Sequence, residues 1–144
     1  MFKVSKMFIE DYEQIKDAFN EFDDFWSPEN LKSELQAENR EYVVVKDKEG
    51  LIVGFAGIIL SVDDAEITNI VTKKDKRRQG IGSILINELI KISKEKGKDN
   101  ISLEVNEENE HAIKLYEKNG FEVVGRRKNY YNNKNDAIIM TKYF

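Results

Sequence analysis

The stretch Ala65-Glu66-Ile67-Thr68-Asn69-Ile70-Val71-Thr72-Lys73-Lys74-Asp75-Lys76-Arg77-Arg78-Gln79-Gly80-Ile81-Gly82-Ser83-Ile84-Leu85 decides how this chain folds. Its first part, rich in β-branched residues, reads as a strand. Beyond Gly80-Ile81-Gly82, the residues Ile81, Ile84, Leu85, Leu89 and Ile92 fall on one helical face. A basic, glycine-bearing turn therefore hands a strand over to a helix. Unpaired N–H groups and a partial positive charge open any helix, which suits a phosphate. Glycine there lets the backbone approach an anion closely. Lys73, Lys74, Lys76, Arg77 and Arg78 add favourable potential for a polyanion. Alone, such a basic run reads as a solvated loop. Two phosphate-binding motifs fail on spacing. A dinucleotide fingerprint needs a third glycine where Leu85 stands, and a P-loop needs Gly-Lys-Ser/Thr where Gly82-Ser83-Ile84 stands.

Upstream, the runs Tyr42–Val45, Leu51–Leu60 and Ala65–Val71 are divided by Asp, Lys and Gly clusters and predict consecutive strands of an antiparallel meander. Before them, Tyr12, Ile15, Phe19 and Phe22 recur at helical spacing. Ser27-Pro28-Glu29 predicts the cap, proline and acid of a second helix that continues through Leu31 and Leu35. Downstream, Ile101–Val105 predicts a strand, and Asn109–Lys118 a helix stopped by Asn119-Gly120. Phe121–Val124 and Ala137–Lys142 predict two last strands. The expected order is α, α, β, β, β, α, β, α, β, β. That is an α/β (α+β) arrangement, a mixed, mostly antiparallel central sheet flanked by helices. No repeat or linker divides the chain, so one domain over residues 1–144 is expected.

Composition narrows the chemistry. The 144 residues are 40% hydrophobic and 35% charged, the balance of a globular protein. There is no cysteine, so disulfides, thiolate nucleophiles and cysteine-based zinc sites are excluded. His111 is the only histidine, which removes His-pair metal sites, and no metal is expected. The net charge of −4 argues against general nucleic-acid binding. No apolar run reaches the ~20 residues a membrane span needs, and Met1–Ser5 lacks a signal-peptide core. The expectation is no membrane partner and a cytoplasmic location.

Arg77-Arg78-Gln79-Gly80-Ile81-Gly82 resembles the Arg/Gln-x-x-Gly-x-Gly/Ala pyrophosphate loop of the GNAT superfamily of N-acetyltransferases, with Ser83 in place of the basic residue some members carry next. Asn109-x-x-Ala112-x-x-Leu115-Tyr116-x-x-x-Gly120-Phe121 resembles its second signature block, without a gap. The ending, Arg126-Arg127-Lys128-Asn129-Tyr130-Tyr131 and then Asp136-Ala137-Ile138-Ile139-Met140, is similar to the ribosomal-protein-alanine N-acetyltransferase (RimI-like) branch. The likeness spans about the last two thirds of the chain, and Phe25-Trp26-Ser27 also fits it.

The resemblance implies acetyl-coenzyme A as cosubstrate and a protein or peptide N-terminus as acceptor, with direct attack on the thioester. An alanine-starting ribosomal protein is the implied target. Chemistry is compatible with that acceptor: an α-amine titrates near ~7.7–8.0 and a lysine near ~10.4, so an N-terminus needs only a modest base. The implied base is Glu104, which shares one strand face with Ser102 and Asn106. The implied acid is Tyr116, whose helical spacing from Ala112 and Ile113 otherwise reads as core. Ile70, Val71 and Thr72 are implied to pair by backbone with the pantetheine arm. Arg77, Arg78, Gln79, Gly80, Ile81, Gly82 and Ser83 are implied to bind the pyrophosphate. Asn109 reads as a helix cap, and the resemblance adds a pantetheine contact. Tyr130 and Tyr131 read by residue type as strand-end aromatics; the resemblance makes them, with Trp26, substrate contacts, the tyrosine pair on a loop over the entrance. Three alternatives stand beside this: an acetyltransferase for a small-molecule amine or a lysine side chain, a non-catalytic acetyl-coenzyme A sensor, and a nucleic-acid module built on the basic turn.

Overall fold

The structure, a computed structural model, describes residues 1–22, 27–131 and 134–144. Among these, one seven-stranded sheet organises the chain. Its strands are β1 (Lys3–Lys6), β2 (Arg40–Lys46), β3 (Ile52–Leu60), β4 (Asp64–Thr72), β5 (Asn100–Asn106), β6 (Glu122–Tyr131) and β7 (Asn135–Tyr143), in the spatial order β1-β2-β3-β4-β5-β7-β6. All neighbours run antiparallel except β4 and β5. The helices are α1 (Ile9–Asp17), α2 (Pro28–Gln36), α3 (Ile81–Glu95) and α4 (Glu110–Lys118).

Alternation along the strands creates two apolar layers. Val43, Val45, Ile58, Leu103, Val105 and Met140 face α3, whose Ile81, Leu85, Ile86 and Leu89 are buried among them, and α4 adds Ala112, Leu115 and Tyr116 at the margin. Tyr42, Val44, Phe55 and Val71 face the other way, onto Tyr12 and Ile15 of α1 and Leu31 of α2. Ser27 begins α2 as its sequence predicts, with Oγ accepting from the Asn30 N–H at 3.4 Å and Pro28 first in the helix.

The parallel pair β4–β5 is short. Only Asp64, Ala65 and Glu66 pair with Asn100, Ile101 and Ser102, although β4 runs on to Thr72 and β5 to Asn106. Past that point the strands diverge and the sheet splays open. A register shift opposite Gly57/Ile58 adds a residue to β4 there, a bulge of the kind that bends a strand.

Three expectations need correction. β1 was not foreseen: Lys3-Val4-Ser5-Lys6 has one apolar residue, and the exposed edge of a sheet tolerates charge. The first helix stops at Asp17, because Phe19–Glu21 tightens into a 3-10 turn and Phe22 bridges to Lys73 in extended form. The strand expected over Phe121–Val124 runs on to Tyr131, so Tyr130 and Tyr131 are the strand-end aromatics their residue types suggest, and the implied loop is the end of a ten-residue strand.

Candidate active site

The helix that follows the basic turn opens on Gly80, at φ +82°, with no side chain capping it and no acid in its first turn. Its first N–H groups therefore face outward without an internal partner. Arg78 also takes a left-handed backbone, φ 64°. A Cβ on Gly80 meets nothing within 4 Å, so the residue looks onto open space. That space is a cleft of about 950 Å³ between the end of β4, the turn, α3 and α4. Lys74, Lys76, Arg77, Arg78 and Lys118 line it, which gives a polyanion both amide donors and cations. Lys73 is engaged elsewhere, 3.2 Å from Glu21. Gly82 serves packing: a Cβ there would lie 2.9 Å from Leu115 Cδ2 of α4.

A second cleft, about 470 Å³, opens on the other side of the splay. Thr68, Asn69 and Val71 of β4, Glu104 and Asn106 of β5, and Tyr131 of β6 line it. Its floor is tied to α2 through Tyr42. The Tyr42 hydroxyl lies 3.3 Å from both Glu34 Oε1 and Thr68 Oγ1, and Arg40 Nε holds the same Glu34 oxygen at 3.1 Å. Burial pushes the Tyr42 phenol up to about 12, so it keeps its proton. Asn69 donates to the Tyr42 oxygen at 3.5 Å, and its own Oδ1 is buried with no hydrogen-bond partner among the described residues.

Ile70, Asn109 and Tyr116 line both clefts. Tyr116 reaches that junction from the inner face of α4, with its ring tilted against Phe121 at 5.9 Å. Burial, with a smaller contribution from Tyr131, raises its phenol to about 12. A hydroxyl that stays protonated across the physiological range can donate a proton. Asn109 is the cap its sequence suggests: Oδ1 accepts from the Ala112 N–H at 3.2 Å.

The structure thus gathers Ile70, Thr72, Arg77, Arg78, Gly80, Ile81, Gly82, Ser83 and Asn109 around the larger cleft. Val71 turns its side chain into the α1–α2 layer and lines the smaller one, while Gln79 lines neither. Tyr131 joins Glu104 in the smaller cleft; Tyr130 stands more than half exposed at its rim, its ring edge-on to Tyr131 at 5.1 Å. Trp26 lies outside the described residues.

Two residues escaped sequence reasoning. Arg127 Nε sits 2.9 Å from Glu104 Oε1. Asp136 holds the tyrosine segment: Oδ2 pairs with Arg126 Nη1 at 2.5 Å and Oδ1 accepts from the Asn129 N–H at 2.9 Å. That bond fixes Asn129 at φ 52°, within the register shift that separates Arg127 from Tyr131. Arg126 and the Asn129 amide hold the Asp136 carboxyl below the usual carboxylate range. Spacing alone does not reveal either contact. Both depend on which residues of β5, β6 and β7 lie side by side.

A helix N-terminus opening on a splayed sheet, with a tyrosine lining both a cation-lined cleft and a carboxylate-bearing one, is an arrangement suited to a group-transfer enzyme. The chain belongs to the acetyltransferase (GNAT) family, whose profile matches residues 6–121, and it is an N-acetyltransferase. It is 36% identical over 139 residues to a Bacillus subtilis protein provisionally named ribosomal protein bS18-alanine N-acetyltransferase, covering 95% of this chain and 92% of that one. The crystal structure of the ribosomal-protein-S18-alanine N-acetyltransferase from Escherichia coli matches with a TM-score of 0.88 at 30% identity, covering 99% of this chain and 94% of that one. A GNAT acetyltransferase from Elizabethkingia anophelis, solved with acetyl-CoA bound, shares the fold at 20% identity, with a TM-score of 0.77 and coverage of 99% and 98%. Enzymes of this family use acetyl-CoA.

Proposed function

We propose that this enzyme acetylates the α-amine of a protein N-terminus, with an alanine-starting ribosomal protein as the preferred acceptor. The observation that carries the reading is the shared position of Tyr116 between the two clefts. The larger cleft fits acetyl-coenzyme A, because an uncapped helix start and five cations suit its phosphates. Bound there, it supplies an activated acetyl group. Amides opening α3 and the side chains of Arg77 and Arg78 bind the phosphates. The unpaired edge of β4 at Ile70 and Thr72 offers backbone groups along the arm, because β5 has parted from it there.

On the other side, Glu104 takes a proton from the entering ammonium, directly or through water. Tyr116 holds at Oη the proton that the departing sulfur needs, and its burial keeps that proton in place. Neither role needs a covalent enzyme intermediate. Tyr131 and Tyr130 form the wall along which a peptide enters. The names of the relatives from Bacillus subtilis and Escherichia coli support an N-terminal alanine as acceptor and, since that acceptor is ribosomal, cytoplasmic work.

A panel of short peptides differing in their first residue, incubated with acetyl-CoA and read by mass, tests the reading. The expected result is acetylation of a free N-terminal alanine and none of the same peptide with a blocked N-terminus and an internal lysine. Modification of the lysine alone, or of a polyamine with every N-terminus ignored, would contradict it.

A further inference from the structure

Arg127 lies on β6 opposite Ala137 of β7, and Ala137 in turn lies opposite Asn106 of β5. Paired residues share a sheet face, and Asn106 shares its face with Glu104, so Arg127 and Ala137 lie on the face that carries Glu104. Ala137 is small and fully buried, so the arginine passes across β7 and sets Nε 2.9 Å from Glu104 Oε1. The guanidinium carbon lies over the Tyr130 ring, 5.6 Å from its centre. A cation therefore already rests on the carboxylate that the acceptor's ammonium must approach. Two cations on one carboxylate repel each other, and the arginine is the one free to leave: its side chain is 58% exposed, that of Glu104 only 22%.

We propose that Arg127 is a latch on the acceptor site, a resident counter-ion that the incoming N-terminus displaces from Glu104 and that stays over Tyr130, which it already overlies. This rests on the reading of Glu104 as the group that receives the acceptor amine. The latch is weak by construction, because an exposed ion pair contributes little beyond its screened Coulomb energy. It lowers the affinity of every cationic acceptor by a modest factor and covers the carboxylate when no acceptor is present.

The test is calorimetric titration of the coenzyme A-saturated enzyme with an alanine-starting peptide. Arg127→Gln is expected to tighten peptide binding by up to about fivefold, the factor equivalent to an exposed ion pair of about 1 kcal/mol. Arg127→Lys, which keeps the charge, is expected to bind as the parent does. In a Glu104→Gln background Arg127→Gln is expected to change nothing, since no carboxylate remains to be covered. Unchanged or weaker peptide binding by Arg127→Gln overturns the latch, as does equal tightening in the Glu104→Gln background. Turnover separates this from the role of Glu104: full activity of Glu104→Gln sinks the base, whereas a dead Glu104→Gln beside an unaltered Arg127→Gln affinity sinks only the latch. Because Arg127 is exposed, both its variants retain the core, which thermal unfolding checks.

Discussion

Tyr116 is the residue on which the two clefts depend. Its phenol titrates near 12 because burial penalises the phenolate, so the protonated form persists at every pH below that value. An acid with that property gives no falling alkaline limb. The rate profile against an alanine-starting peptide should rise through about pH 8 as the acceptor amine loses its proton. It should then stay level to about pH 10. Stopped initial rates across that range check the shape, and a fall centred near pH 9 would remove Tyr116 from the role. Glu104→Gln and Tyr116→Phe should each lower kcat by about 10²–10⁴-fold while coenzyme A affinity measured by calorimetry stays within about twofold. Asp136→Asn should raise the acceptor KM several-fold with cofactor affinity unchanged, because the tyrosine segment loses the ion pair with Arg126 that helps to anchor it. The depressed Asp136 carboxyl keeps its ion pair at full strength above the usual carboxylate range and loses it only as pH falls through its lowered value. The Asp136→Asn effect on KM should therefore be the same at pH 6 and pH 9. At this scale the sequence spoke through spacing. Glu104 and Tyr116 sit in recognisable blocks, whereas Arg127 and Asp136 act through cross-strand neighbours that spacing does not announce.

Among the elements, the helices α2, α3 and α4 and the meander β2–β4 were legible, because each pairs a clear apolar period with a clear stop. Ser27-Pro28 and Asn109 mark starts by their own hydrogen bonds. Gly120, at φ 94°, marks a stop. What escaped was set by tertiary contact. β1 exists because β2 offers it an edge, Phe22 leaves the helical pattern because Lys73 pairs with it, and β6 reaches Tyr131 because Asp136 holds its irregular turn. The splay of β4 from β5, the feature that makes the site, is also silent in the sequence. It follows from how few residues pair. Gly57 offers a test at this scale. A Cβ there would overlap the Tyr42 ring, which is buried and held through its hydroxyl by Glu34 and Thr68. Gly57→Ala should cost about 1–3 kcal/mol of stability by overpacking, read as a lower denaturation midpoint. It should also raise the acceptor KM, as the floor of the acceptor cleft shifts.

For the whole molecule, charge is segregated by task. The chain is acidic overall at −4, yet the larger cleft gathers cations and the smaller one presents Glu104. On the proposed reading, an anionic cofactor and a cationic acceptor are drawn to different mouths of one splayed sheet. That arrangement depends first on the larger cleft binding the cofactor. Calorimetry of coenzyme A against the parent and Gly80→Val probes it directly. Gly80 sits at φ +82° where helix and cleft meet, so a valine there both strains the turn and projects toward the phosphates. The expected result is one saturable site in the parent and none detectable in Gly80→Val, with the circular dichroism of both alike. Equal coenzyme A affinity in the two proteins, or no uptake by the parent, would contradict the claim that the start of α3 holds the cofactor.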